Sequence, residues 1–202
     1  MGAAPSSFSE PWGFVLIRTT TKTSAQQSTQ ELCWNLALSK LKQHVEYGSH
    51  PRMDPNGEIK RWVTSKFTLI TIDEDEGAND KVVRTRFREW LDSNPDYDGI
   101  CRHACLVLND ANVAALVNAP DPLPGYVMSA GSWDQAYVRI LDADYDEGTA
   151  KKQRYRSWMR VRAAFLWEVF SRLRDTGSML KLTPSIEVHG QIPIYNSIAT
   201  AV

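Results

Sequence analysis

Apolar and polar positions follow two alternating patterns along this chain. Residues 12–20, WGFVLIRTT, open with a nearly unbroken apolar run that ends in one cation, Arg18. Phe14, Val15, Leu16 and Ile17 leave no polar face, which predicts a central strand covered on both sides. The next segment, SAQQSTQELCWNLALSKLKQHVEYG, has helical spacing. Leu32 and Leu36 with Ser39 form one stripe, Leu38, Leu41 and Val45 widen it, and Gly48 is the expected stop. SHPRMDPNGEIK carries two prolines and the pair Asn56-Gly57, the composition of a loop. RWVTSKFTLITID then alternates, with Val63, Phe67 and Leu69 to one side and Thr64, Lys66 and Thr68 to the other. It predicts a second strand with one face open to water or to a pocket.

After the acidic turn DEDEGAND, the segment KVVRTRFREWLDSN places Val83, Phe87, Trp90 and Leu91 at i, i+4, i+7 and i+8. This is an amphipathic helix capped by Asn79 or Asp80. ACLVLN predicts a third strand, DANVAALVNAP a short helix that Asp110 caps and Pro120 helps to end, and AYVRILD a fourth strand. Within KKQRYRSWMRVRAAFLWEVFSRLRDTGS, Phe165, Val169, Phe170 and Leu173 predict a helix that stops at Gly177. The tail LTPSIEVHGQIPIYNS is broken by Pro184, Gly190 and Pro193. This order predicts an α+β fold: a ferredoxin-like split βαβ sheet with helices mainly on one face and additional short elements. A doubly wound α/β sheet is the competitor. Residues 1–11 are expected to be disordered and 12–202 to form a single α+β domain, since no repeat, low-complexity run or long linker divides them.

Taken together, WGFVLIRTT, VVRTRFREW, CLVLND followed by a short helix and YVRILDADYD, and SWMRV resemble an uncharacterised family of intracellular α+β proteins of filamentous fungi. The resemblance spans most of residues 12–175. It implies one intracellular α+β domain and brings no activity with it.

Composition narrows the function classes. The chain has 202 residues, 43% of them hydrophobic and 23% charged, as in an ordinary soluble globular protein. Lys and Arg total 23 against 24 for Asp and Glu. The net charge of −1 provides no long-range field to attract nucleic acid or an anionic membrane. Cys33, Cys101 and Cys105 form no CxxC pair, and their odd number suits free thiols in a reducing, cytoplasmic setting. The start MGAAPSSFSEP has no basic or apolar leader, and no run of 18 apolar residues occurs, so neither export nor a membrane span is expected.

Candidate chemistry is sparse. Asp142, Asp144 and Asp146 have the spacing that opens a calcium loop, but Glu147 stands where a glycine is needed and Gln153 where the closing carboxylate belongs. The reading there is a solvated acidic turn. The histidines His44, His50, His103 and His189 are scattered, so no metal site is expected. No GxSxG, Walker or GxGxxG motif occurs, and no cofactor is expected. His103, just before the buried third strand, is the candidate catalytic proton carrier. Seven tryptophans, several beside arginines, suggest guanidinium groups stacked on indoles. Arg18 and Arg160 are therefore the candidate anion anchors, and Trp62 and Trp158 the apolar walls. Arg18 cannot shed its charge, so it needs either a protein carboxylate or a ligand anion. The expected function is a small-molecule-binding domain, extending to a cofactor-independent isomerase or cyclase with a pocket on the sheet face. The alternative is a non-catalytic interaction module anchored by exposed aromatic residues, with a homodimer among its partners.

Overall fold

The computed structural model describes residues 11–20, 27–48, 58–122, 136–146, 157–189 and 192–195. The expected disorder of residues 1–10, the Asn56-Gly57 turn, and Glu147 and Gln153 lie outside them. Strand β1 (Trp12–Arg18) is buried from Trp12 to Ile17, as its unbroken apolar run requires. Its alternate residues feed two cores, Trp12, Phe14 and Leu16 on one side and Val15 and Ile17 on the other. Strand β2 (Phe67–Asp73) runs parallel to β1 through seven unbroken pairs, from Trp12↔Phe67 to Arg18↔Asp73. On the other flank of β1 lies β3 (Ala104–Leu108), also parallel and wholly buried. Strands β4 (Tyr137–Asp142) and β5 (Trp158–Arg162) extend the sheet antiparallel, and β6 (Ile186–His189) and β7 (Ile192–Tyr195) complete it. The seven strands run in the order β2-β1-β3-β4-β5-β7-β6.

Parallel neighbours need crossover helices, and these lie on both faces. Helices α1 (Gln27–Gly48) and α2 (Glu58–Lys66) connect β1 to β2 and pack on the Trp12 side, where α4 (Asp110–Asn118) and α5 (Leu166–Thr176) join them. Helix α3 (Asp80–Ser93) connects β2 to β3 across the opposite face, burying Val83, Phe87 and Leu91 against Val15, Ile17 and Val107. The broad expectation of an α+β fold holds, with a mixed sheet and several helices. The ferredoxin-like arrangement needs correction, because β1 pairs in parallel with both β2 and β3. A chain that leaves β1 in one direction and returns past it in the other must place its successive right-handed crossovers on opposite faces. The β2-β1-β3 portion therefore follows the doubly wound pattern, and the antiparallel strands are appended to it.

Several local readings also change. The RWVTSK half of the expected second strand is helical, because Val63 and Phe67, four residues apart, satisfy the helical period as well as the strand period. Tertiary contact decides between them: Val63 is fully buried and its carbonyl accepts from the indole of Trp12 at 2.7 Å. On α1 the buried face is Trp34, Ala37, Leu41 and Val45, while Leu32 (70% exposed) and Leu36 (46%) look into water. WMRVR is strand β5, not the start of the last helix. Met159 and Val161 are buried while Trp158, Arg160 and Arg162 are half-buried, a period of two. The α5 stripe of Val169, Phe170 and Leu173 is confirmed, and the helix closes at Gly177 with φ 65°. Asn79 caps α3 as expected, accepting from the backbone of Lys81 and Val82. Helix α4 is capped by Asn109, one residue before the expected Asp110, in a reciprocal capping box with Asn112.

His44 lies on the buried face of α1 at 1% exposure. Burial, reinforced by the Lys40 charge, holds its imidazole below the ordinary 6.5, against the pull of the Pro120 carbonyl and Asp121. As pH falls through 6.5 the unfolded chain binds a proton that the folded chain refuses, so stability from this group is lost between 6.5 and the lower folded value. A urea titration series is expected to show the midpoint falling across that window in the wild type and falling less in His44→Gln. Equal slopes in the two proteins would refute this coupling.

Candidate functional site

The strand order reverses between β1 and β3: the connection after β1 leads to β2 and the connection after β3 leads the other way along the sheet to β4, both through helices on the Trp12 face, α1 and α4. Open α/β sheets have their ligand crevice at such a point, beyond the carboxyl ends of the strands. A cavity of about 350 Å³ occupies this position between α1 and α4, within the usual range for small-molecule sites. Arg18 and Thr20 form its floor, Gln30, Cys33 and Trp34 of α1 one wall, and Asp110, Val113 and Val117 of α4 the other. Arg18 alternates with Trp12, Phe14 and Leu16, so its side chain turns to the α1 face. Its guanidinium carbon lies 4.5 Å from the centroid of the Trp34 ring. Nε donates to Thr20 Oγ1 at 2.8 Å and one terminal nitrogen to Glu31 Oε2 at 2.9 Å. The two side chains are unlike in exposure, 12% for Arg18 and 52% for Glu31. A cation held rigidly on an aromatic ring therefore meets a carboxylate that stands half in water.

His103 stands at the other end of the sheet. It lines a smaller cavity of about 230 Å³ at the amino end of β1, with Trp12, Trp62, Arg102, Phe170 and Arg174. His103 Nδ1 lies 3.0 Å from Asp144 Oδ2. Of the five residues singled out from sequence, only His103 and Trp62 share a cavity. The β1–β3 register places His103 about five residues from the end of β1, roughly 16 Å from Arg18 along the strands. Trp158 and Arg160 are on the opposite face, three strands away from β1. There Arg139 stacks 4.9 Å from the Trp158 ring and pairs with Asp80 at 2.6 Å, and Arg160 lies directly across from Arg139. Sequence reasoning missed Trp34, Thr20, Glu31 and Asp144. Only Trp34 left a signal, as an aromatic residue off the apparent stripe of α1.

The acidic stretches organise the backbone. Buried Asp142 accepts from the Asp144 amide at 2.8 Å, closing the turn after β4. Glu74 accepts from the Asp75 amide at 3.0 Å and lies 4.0 Å from Arg86. Among the described residues no three metal-ligating side chains converge. Most described tryptophans build the α1-face core: Trp12 lies 4.6 Å from Phe67 and 5.0 Å from Trp167, and Trp62 4.8 Å from Trp167. None of the described tryptophans is exposed.

Cys101, two residues before His103, is not an activated nucleophile, because burial pushes its thiol up to about 12. Burial raises the Cys105 thiol as well. The described cysteines are free, and only Cys33 is partly accessible. A disulfide-exchange reagent is expected to titrate one thiol rapidly in the folded protein and all three after denaturation without reductant. Rapid reaction of two or more in the folded state would contradict the burial of Cys101 and Cys105.

No protein-family model matches the chain, and comparisons with curated proteins and with solved structures return no match. Among the described residues no helix is long and apolar enough to cross a membrane.

Proposed function

We propose that the protein is a small-molecule-binding domain whose ligand occupies the cavity beyond the carboxyl ends of β1 and β3. One observation carries this reading: the Arg18 guanidinium, stacked on Trp34, forms the floor of a cavity whose walls are largely apolar. Such a site fits a ligand with an apolar body and an acidic head. The head takes the place of the half-exposed Glu31 carboxylate on Arg18, and the body lies along Trp34, Val113 and Val117. Charge-assisted hydrogen bonds to a guanidinium are roughly twice as strong as neutral ones, which gives Arg18 its discriminating role.

Because Glu31 remains in water when Arg18 is removed, Arg18→Met is expected to cost only about 1 kcal/mol of stability. The larger effect falls on binding. Titration with the fluorescent organic anion 1-anilinonaphthalene-8-sulfonate should weaken by about tenfold or more in Arg18→Met, while a neutral naphthalene probe binds both proteins alike. Equal affinity of the anion for both proteins would sink the reading. Native mass spectrometry of the purified protein would then be expected to show no acidic ligand.

The His103–Asp144 contact supports a second reading, acid–base chemistry of the isomerase or cyclase class in the smaller cavity. In that reading Trp62 is an apolar wall, and Arg102 and Arg174 supply the positive charge. Trp158 and Arg160, on the far face, belong to neither cavity. Membership of the fungal family and a cytoplasmic location are proposed on the sequence motifs and free thiols alone.

A further inference from the structure

Arg18 is the only cation among the described residues that line the larger cavity, and Asp110 is the only acid among them. A guanidinium carries five N–H donors. Arg18 directs two of them at described residues, Nε at Thr20 and one terminal nitrogen at Glu31, so its other terminal nitrogen has no acceptor among the described residues. Glu31 reaches Arg18 through a single oxygen, Oε2, in place of the two-pronged contact that a carboxylate and a guanidinium make at their strongest. The Glu31 side chain stands outside the cavity lining, half in water, whereas that of Arg18 is 12% exposed. Displaced by a ligand head, the Glu31 carboxylate remains on α1, one residue from Gln30 in the cavity wall. Its charge therefore acts on any anion that reaches Arg18.

We infer, resting on the ligand cavity proposed above, that Glu31 is a specificity-determining residue: it restricts the site to a singly charged acid, a monocarboxylic acid with an apolar body, and rejects phosphorylated ligands. The balance of charge decides this. Arg18 contributes one positive charge to the site, and Glu31 and Asp110 contribute one negative charge each. A carboxylate head gains a two-pronged contact with Arg18 and meets the repulsion of Glu31 with a single charge. A phosphomonoester carries a charge of about −2 and meets about twice that repulsion. No second cation among the described lining residues offsets it. A helix N-terminus is the usual alternative host for phosphate, but the first turn of α4 is already served by the Asn109 side chain, which accepts from the Asn112 amide, and it carries the Asp110 carboxylate.

Two probes that share an apolar body, naphthoate and naphthyl phosphate, test it at about pH 8, where the phosphate is doubly charged. The readout is protection of Cys33 from N-ethylmaleimide, because Cys33 lines the same cavity and is the partly accessible thiol. The wild type is expected to hold naphthoate about fivefold or more tighter than naphthyl phosphate. Glu31→Gln should strengthen naphthoate about threefold and naphthyl phosphate about tenfold, since the repulsion removed scales with the charge of the ligand. Arg18→Met should weaken both probes. A wild type that prefers the phosphate overturns the inference, as does a Glu31→Gln protein in which both affinities change by the same factor or not at all. If Arg18→Met still weakens both probes in that event, the cavity reading stands without the role for Glu31; if Arg18→Met leaves both unchanged, the cavity reading falls with it. Glu31→Ala, which leaves no amide oxygen to accept from Arg18, decides the matter where Glu31→Gln fails to fold.

Discussion

Phe87→Ala is expected to lower stability by about 3–5 kcal/mol, with a clear fall in the denaturation midpoint at unchanged slope. Phe87 is fully buried at the centre of α3, between Val83 and Leu91, and packs in the cluster that includes Val15, Ile17, Cys105, Val107 and Leu141. α3 is the only described helix on that face, so nothing else described can collapse into the void. Leu32→Ala is the informative comparison. Leu32 appears in the sequence as part of an equally regular apolar stripe, but at 70% exposure it contributes little burial, and its removal should change stability by less than about 0.5 kcal/mol. Comparable losses for the two substitutions would mean that the α1 face, or the α3 face, has been placed the wrong way round.

That comparison shows where the sequence was informative. The α3 stripe could be read because its apolar residues stand among charged ones, so only one face is able to go inward. On α1, leucines occur all round the helix. The face that packs is chosen by Trp34 and Ala37, whose fit against the sheet and against α4 is a tertiary fact. β1 and β3 were legible because a run with no polar face has only one environment open to it. Strand direction leaves no trace in the periodicity, which is why the parallel β2-β1-β3 arrangement was not separated from a split βαβ sheet. Residues 61–66 read as strand for a related reason, since Val63 and Phe67 satisfy both periods and the Trp12 indole settles the choice from 51 positions away.

The candidate site was legible only in part. Arg18 was identified because a permanent charge after six buried positions needs an acceptor. Its partners Thr20, Trp34 and Glu31 belong to the segment after β1 and to α1, and ordinary Thr, Trp and Glu residues carry no mark of such a role. His103 was identified by its place before a buried strand, and Asp144 pairs with it only because the β3–β4 pairing brings the turn after Asp142 alongside. Arg18 and His103 were grouped into one site on residue type alone. Parallel strands with ends about 16 Å apart make them two sites.

The central strand also contains its most constrained position. Gly13→Ala is expected to cost about 3 kcal/mol or more, beyond the usual effect of one added methyl group. A β-carbon at Gly13 would lie 1.8 Å from the Thr68 carbonyl oxygen and 2.7 Å from its carbon, so backbone would have to move. Neither side can yield easily. The Gly13 amide donates to the Gly99 carbonyl at 2.9 Å and the Gly13 carbonyl accepts from the Cys101 amide at 2.9 Å, so β1 cannot retreat without breaking both bonds. β2 cannot retreat without opening the parallel ladder that holds it. The substitution should therefore lower the urea midpoint and, in amide hydrogen exchange, speed the opening of the β2 amides that face β1, Thr68 and Ile70 first. A midpoint within about 0.5 kcal/mol of wild type would mean that the two strands stand further apart at Gly13 than the register requires.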